Sequence, residues 1–131
     1  MAISKKVVQP EALNDPRPRY SQGLLTSPGQ LLFIAGQTAS DKDGNIVGKG
    51  DIEAQAHQVF KNIAAVLEEA GGSFDNLVMT TTYITDIKYR EGYNRVRMQY
   101  YKGTPPTSTL VVVKGLAREE YLIEIAGIAV L

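Results

Sequence analysis

The sequence predicts an α+β fold in which two helices lie on one face of a β-sheet. The clearest element is the segment 51–72, where apolar residues recur at three- and four-residue steps and so form one face of an amphipathic helix. Short runs of apolar and β-branched residues precede and follow this helix, as is typical of strands. The expected order is two or three strands, the long helix, a strand, a shorter helix and two final strands.

The first part of the chain is expected to contain short strands separated by loops. A strand near Lys5–Val8 precedes the proline-rich segment 10–23, which we expect to be irregular because proline lacks a backbone donor. The segment 24–39, LLTSPGQLLFIAGQTA, indicates two strands joined by a tight turn at Ser27–Gln30. A further turn is expected at Asp43–Asn45.

The rest of the chain has clear boundaries. Asp51 is the predicted N-cap of the long helix, which should end at Gly71 and Gly72. The remaining segments are predicted to be a strand at 76–87, a helix at 89–101 and strands at 108–113 and 120–131. Since no internal repeat or linker interrupts this order, residues 1–131 are expected to form a single domain.

The last strand is apolar on both of its faces. Ile123 and Ile125 belong to one alternating set, and Ala126 and Ile128 belong to the other. Strands that are buried on both faces have this pattern. One long and one short helix cannot cover both faces of the sheet, so the sequence predicts a homo-oligomer.

Composition narrows the class of protein. The 14 basic residues balance 14 acidic residues, and the pI near 6.6 does not support a nucleic-acid binder. The absence of cysteine excludes disulfides, a thiolate nucleophile and cysteine-based metal sites. The chain lacks an apolar signal-peptide region at its start and any apolar run near the roughly 20 residues that span a bilayer. We therefore expect a soluble, cytoplasmic protein without a membrane partner.

Glu124 is the single charged residue in the segment 121–131. An ionised carboxylate that leaves water without a partner costs several kcal/mol or more. One interpretation is a catalytic carboxylate that orients water or moves a proton in a partly dry cleft. The other is an interfacial ion pair, or a strand-edge residue that contacts solvent.

Other candidate residues lie in loops and at strand ends. The loop 17–23, RPRYSQG, offers binding groups on a stiff segment, or is a solvated loop that packs Tyr20 on the sheet. Gly36 suggests a bend or a close backbone approach, and the hydroxyls of segment 104–109 bind an anion or shape a turn. His57 is the only histidine, so it is weak evidence for catalysis or for a metal site, and the sequence does not support a Ser-His-Asp triad.

These motifs together resemble the Rid (reactive intermediate deaminase) family, also called the YjgF or L-PSP endoribonuclease family. The resemblance covers nearly the whole chain and rests on the stretches YSQG, IAGQTA, TTTYITDI, YNRVRMQYY, PPTSTLVVVKGLA and LIEIAGIAV, together with the long helix. It implies a chorismate-mutase-like α+β domain with a mixed sheet, assembled as a homotrimer around a sheet-lined barrel. The family's active clefts lie between neighbouring subunits.

The resemblance also implies an activity. Deaminases of the family hydrolyse enamines and imines such as 2-aminoacrylate to a 2-keto acid and ammonia, without cofactor or metal. Glu124 matches the carboxylate that is proposed to position or activate water in the family's cleft. Tyr20 matches the cleft tyrosine of the family, Gly36 matches the glycine of its SGQ turn, and Asn94 matches the asparagine of its second helix.

The chain departs from the family pattern at a central position. The family's arginine in PARS or PART, which binds the substrate carboxylate as a bidentate fork, aligns with Ser108. Ala35 replaces the serine of SGQ, and Arg19 replaces the proline before the tyrosine. Either Arg17 or Arg19 supplies the missing cation, or the ligand lacks a carboxylate and contacts the hydroxyls at 107–109.

Three functions follow from this sequence. The first is a cofactor-independent hydrolase of the Rid type, with Glu124 handling water and Tyr20, Gly36, Asn94 and Ser108 binding the substrate. The alternative is a non-catalytic ligand-binding or regulatory homologue, which the loss of the arginine favours. The third, an RNA endonuclease, is disfavoured by the neutral charge, since phosphate contacts need basic residues.

Overall fold

The predicted order of strands and helices is confirmed in the computed structural model, which describes residues 2–131. The strands are β1 (Lys5–Val8), β2 (Gly23–Thr26), β3 (Leu31–Gln37), β4 (Leu77–Ile84), β5 (Thr107–Val112) and β6 (Ile123–Val130). The helices are α1 (Ile52–Glu69) and α2 (Arg90–Tyr100), with short 3-10 turns at Phe74–Asn76 and Ile87–Tyr89.

The main sheet is mixed and has the strand order β3-β6-β4-β5. Strands β4 and β5 are parallel, which the crossover connection through α2 allows, and the other neighbours are antiparallel. Strands β1 and β2 form a separate antiparallel ribbon. Although β2 and β3 are joined by the predicted turn, they do not pair. Gln30 instead exchanges two backbone hydrogen bonds with Leu131, of 2.7 and 2.9 Å, which align β3 with β6.

Both helices pack on the same face of this sheet. Asp51 caps α1 by accepting a hydrogen bond from the Ala54 amide at 3.1 Å, and Gly71, with φ of 86°, follows its end. The core lies between helices and sheet, where the ring of Phe60 stacks on Tyr93 and on the ring of Tyr100. The predicted α+β class, with two helices on one face, is therefore confirmed.

The opposite face of the sheet is apolar and open. Phe33, Ile128 and Met79 are side by side across β3, β6 and β4, and Phe33 is 70% exposed. Val111 on β5 is also exposed. This is the surface that the sequence assigns to a partner subunit, and the homo-oligomer stays a prediction.

Two kinds of feature are absent from residues 2–131. Neither helix there combines the length and the apolar composition needed to cross a bilayer. No group of three or more histidine, aspartate or glutamate side chains is gathered in that range where it would hold a metal ion.

Candidate functional site

An open cleft of about 340 Å³ lies between the loop that carries Tyr20, helix α2 and the edge strand β5. Aromatic, aliphatic, hydroxyl and guanidinium groups all contribute to it. The residues that line it are Tyr20, Ile87, Arg90, Arg97, Ser108, Leu110 and Val112. Two of the predicted binding residues, Tyr20 and Ser108, are thus brought together across 88 positions of sequence.

Ser21 holds the Tyr20 loop against the start of β5. Its amide donates to the Pro106 carbonyl at 3.0 Å, and its hydroxyl donates to the Pro105 carbonyl at 2.7 Å. Ser21 is 1% exposed. Because Pro105 and Pro106 lead directly into β5, these two bonds place Tyr20 beside Ser108. The sequence reasoning did not single out Ser21, although it is part of the YSQG motif.

We expect Ser21→Ala to destabilise the fold by about 1–3 kcal/mol, because the buried Pro105 carbonyl loses its donor. The same change should weaken the binding of any ligand that contacts Tyr20. Denaturant unfolding measures the first effect. Ser27→Ala is a control at a position where the hydroxyl accepts an exposed hydrogen bond from the Ser4 amide. Equal stabilities of the two variants would contradict the role given to Ser21.

Arg97 is the main residue of the cleft that the sequence reasoning missed. It is 5% exposed, and its Nη1 donates to the Tyr93 hydroxyl at 3.0 Å and to Ser108 Oγ at 3.4 Å. Its guanidinium lies over the Tyr93 ring at 4.6 Å and near the Tyr20 ring at 5.9 Å. The helical spacing could have found it, since Arg97 follows the buried Tyr93 by four residues and so shares its face.

The Arg97 side chain has no acidic partner. The ion pairs among residues 2–131 join Arg17 to Asp15 and Arg95 to Glu53. The Nε of Arg97 is buried without any hydrogen-bond partner. The cleft therefore contains a buried cation whose bonds to the protein are all to neutral hydroxyls.

Asn94 lies on the cleft side of α2. It is between Arg90 and Arg97 at spacings of four and three residues, which place the three side chains on one helical face. Asn94 is 8% exposed, and its Oδ1 is buried without a hydrogen-bond partner. A buried polar atom without a partner is uncommon and marks a position where a ligand or water is expected to bind.

Glu124 lies on the open face of the sheet. Its register partner on β4 is Tyr83, and its carboxylate packs against the backbone of Gly36. Glu124 is half-buried, and its carboxylate makes no hydrogen bond or ion pair with any residue in the range 2–131. Gly36 lies where the β3–β6 register shifts, between Ile34 and Gln37. A bulge at this point is what brings the backbone of β3 up to the carboxylate.

A side chain at position 36 would displace the carboxylate. A Cβ built on Gly36 collides with Glu124 Oε2 and lies 2.8 Å from Cδ. We expect Gly36→Ala to cost up to about 1 kcal/mol of stability, because the half-buried Glu124 side chain has to move aside. The double variant Gly36→Ala/Glu124→Ala should recover most of that loss, as denaturant unfolding would show. Additive losses would mean that the two residues do not interact.

The predicted site residues fall into two groups on opposite faces of the sheet. Ser108 pairs with Thr80, whose side chain is buried under the helices. Glu124 pairs with Tyr83, three positions further along β4, and side chains alternate between faces along a strand. Within one chain, Glu124 and Gly36 therefore do not line the cleft that Tyr20, Arg97 and Ser108 form.

The other candidate side chains lie outside both groups. Arg17 is exposed and forms an ion pair with Asp15 at 2.6 Å, and Arg19 is exposed. Neither arginine lines the cleft, so neither supplies its cation in this chain. His57 Nδ1 shares a hydrogen bond of 3.0 Å with the Tyr100 hydroxyl, and thus links α1 to α2.

Comparison with known proteins shows the family of this chain. The family model described as Endoribonuclease L-PSP matches residues 11–131. The chain belongs to the Rid (YjgF/L-PSP) family. A RutC family protein of Saccharolobus solfataricus is 40% identical over 126 residues, which cover 95% of this chain and 97% of the relative. A RutC family protein of Pyrococcus horikoshii has the same identity and coverage.

Solved structures of Rid proteins have the same fold. YyfB of Yersinia pestis, described as a protein of unknown function of the conserved Rid family, superposes with a TM-score of 0.90 at 30% identity. The match covers 97% of this chain and 98% of YyfB. YyfA of the same organism is 36% identical with a TM-score of 0.73, over 98% of this chain and 100% of YyfA. The Rid fold of this chain is thus shown by sequence and by structure.

Proposed function

We propose that this Rid protein is a cofactor-independent hydrolase that deaminates an enamine or imine to a keto product and ammonia. The observation that carries the proposal is the Glu124 carboxylate, which is half-buried on Gly36 without a hydrogen-bond or ion-pair partner among residues 2–131. A carboxylate with open acceptor positions is available to bind water and to receive its proton.

The proposed reaction needs only water and an acid–base group. An enamine first moves a proton from nitrogen to its terminal carbon, which gives the imine. Water then adds to the imine carbon while Glu124 accepts a proton from the water and returns it to nitrogen. The resulting carbinolamine loses ammonia and becomes the ketone, so that each imine consumes one water and releases one ammonia.

The proposed site, which combines Glu124 with the cleft, requires more than one copy of the chain. Glu124 lies on the open face, whereas the cleft lies on the helical side of the edge strand β5. We propose a homotrimer, as the family resemblance implies, in which Glu124 of one subunit approaches the cleft of its neighbour. The exposed apolar face and the unpaired edge of β5 support association. The proposal includes a cytoplasmic location.

A coupled assay tests the activity. A pyridoxal-phosphate dehydratase generates 2-aminoacrylate or 2-aminocrotonate in the presence of this protein, and formation of the keto acid is timed against the uncatalysed rate. Acceleration with release of ammonia is the expected result. A folded, oligomeric protein that leaves the rate unchanged would contradict the proposal and favour the non-catalytic, ligand-binding alternative.

A further inference from the structure

We infer that Arg97 is the anion-binding residue of the cleft and binds the carboxylate of the ligand in place of the arginine that the family carries at the position of Ser108. The inference deepens the proposed function and depends on it for the identity of the ligand. Arg97 is on helix α2, whereas the arginine of the family pattern aligns with Ser108 on strand β5.

The electrostatics of the cleft favour an anion. Two arginines, Arg90 and Arg97, line it, and no acidic residue among those described does so. Arg97 is 5% exposed, and a buried charge without a charged partner is unfavourable until a counter-charge binds to it. The nearby hydroxyls carry no compensating charge. Burial raises the pKa of the Tyr101 hydroxyl, which therefore stays protonated.

The geometry leaves part of the guanidinium open to a ligand. Nη1 is occupied by the Tyr93 hydroxyl and by Ser108 Oγ, while Nη2 donates to no residue in the described range. The buried Nε also lacks a partner. The Tyr93 and Tyr20 rings near the guanidinium restrict its plane. A guanidinium held in this way is ordered in advance for a charge-assisted bond to a carboxylate.

Ser108 and Arg97 are suited to each other. The serine is small enough for the Arg97 guanidinium to approach within 3.4 Å of its hydroxyl. A second arginine at position 108 would occupy that space and bring two like charges together. This chain therefore lacks the family's arginine at position 108, and Arg97 supplies a positive charge beside that position.

The wild-type protein gives the first test, which needs no variant. Binding of 2-oxobutyrate, which is unreactive, is compared by calorimetry with binding of its uncharged amide, 2-oxobutanamide. We expect the acid to bind about 10- to 100-fold more tightly, as the loss of a charge-assisted hydrogen bond predicts. Equal affinities would overturn the inference whether or not any variant folds.

Variants then identify the residue. Arg97→Gln should abolish the preference for the acid, and Arg97→Lys should retain part of it because the charge remains without the fork. Arg95→Gln is the matched control, since Arg95 is on the same helix but is exposed and pairs with Glu53 at 3.3 Å. Circular dichroism and thermal unfolding establish that each variant is folded. A folded Arg97→Gln variant that keeps the full preference would overturn the inference.

Binding and turnover distinguish the two proposals. If acid binding depends on Arg97 but no imine is hydrolysed, the inference stands and the proposed function fails. If 2-aminoacrylate is hydrolysed with an unchanged KM by the Arg97→Gln variant, the function stands and the inference fails.

Discussion

Replacing Glu124 by glutamine is expected to slow the hydrolysis of 2-aminoacrylate about 100- to 10,000-fold, which is the usual contribution of a positioned acid–base group. Glutamine has the shape of glutamate and fits against Gly36, but its amide cannot accept the proton of the attacking water. We therefore expect kcat to fall and the affinity for 2-oxobutyrate to change little. Steady-state kinetics in the coupled assay and calorimetry with the keto acid measure the two effects.

Glu119→Gln is the matched control, because it removes a carboxylate from an exposed position that precedes β6. It should leave kcat within about twofold, as a surface substitution away from the site does. A Glu124→Gln variant that is folded and hydrolyses 2-aminoacrylate at the control's rate would contradict the catalytic role of Glu124.

Phe33→Glu is expected to convert the proposed trimer into a monomer and to abolish turnover. Phe33 is 70% exposed in the single chain and lies beside Ile128 on the open apolar face. A carboxylate that is buried there by association would cost several kcal/mol for each subunit. Light scattering coupled to size-exclusion chromatography measures the mass, and the coupled assay measures the rate.

This variant also separates the two halves of the site. The Arg97 cleft is formed within one chain, so the monomer should retain preferential binding of 2-oxobutyrate over its amide. Met98→Glu is the control, because Met98 is an exposed apolar residue on α2, outside the open face of the sheet. A Phe33→Glu protein that remains a trimer, or a monomer with full turnover, would contradict the proposed assembly.

The sequence predicted the elements of the fold because their causes are local. The apolar period of α1, its Asp51 cap and the glycine after it all act within a few residues of the chain. The alternation in β6 likewise predicted a strand with two buried faces and placed Glu124 opposite the core residues Ile123 and Ile125. The resemblance to the Rid family predicted the fold, and the family motifs identified candidate site residues along the chain.

Local sequence patterns did not predict which distant segments pair with each other. The turn at Ser27–Gln30 suggested two neighbouring strands, but β3 pairs with β6 because Gln30 and Leu131 exchange backbone bonds. Local sequence patterns also did not identify the residue that supplies the positive charge of the cleft. Arg17 and Arg19 are close to Tyr20 in sequence but exposed, whereas Arg97 reaches Ser108 from another element.

By itself, the sequence determined the order of strands and helices, the one-sided packing of the helices and the presence of a single carboxylate among the apolar residues of the last strand. Only the tertiary structure decided that Arg97 is buried beside Ser108 and that Glu124 and Ser108 lie on different faces of the sheet. The physical reason is that periodicity and capping depend on neighbours along the chain. The environment of a charge depends on which distant elements surround it, and this follows from the packing of the whole chain.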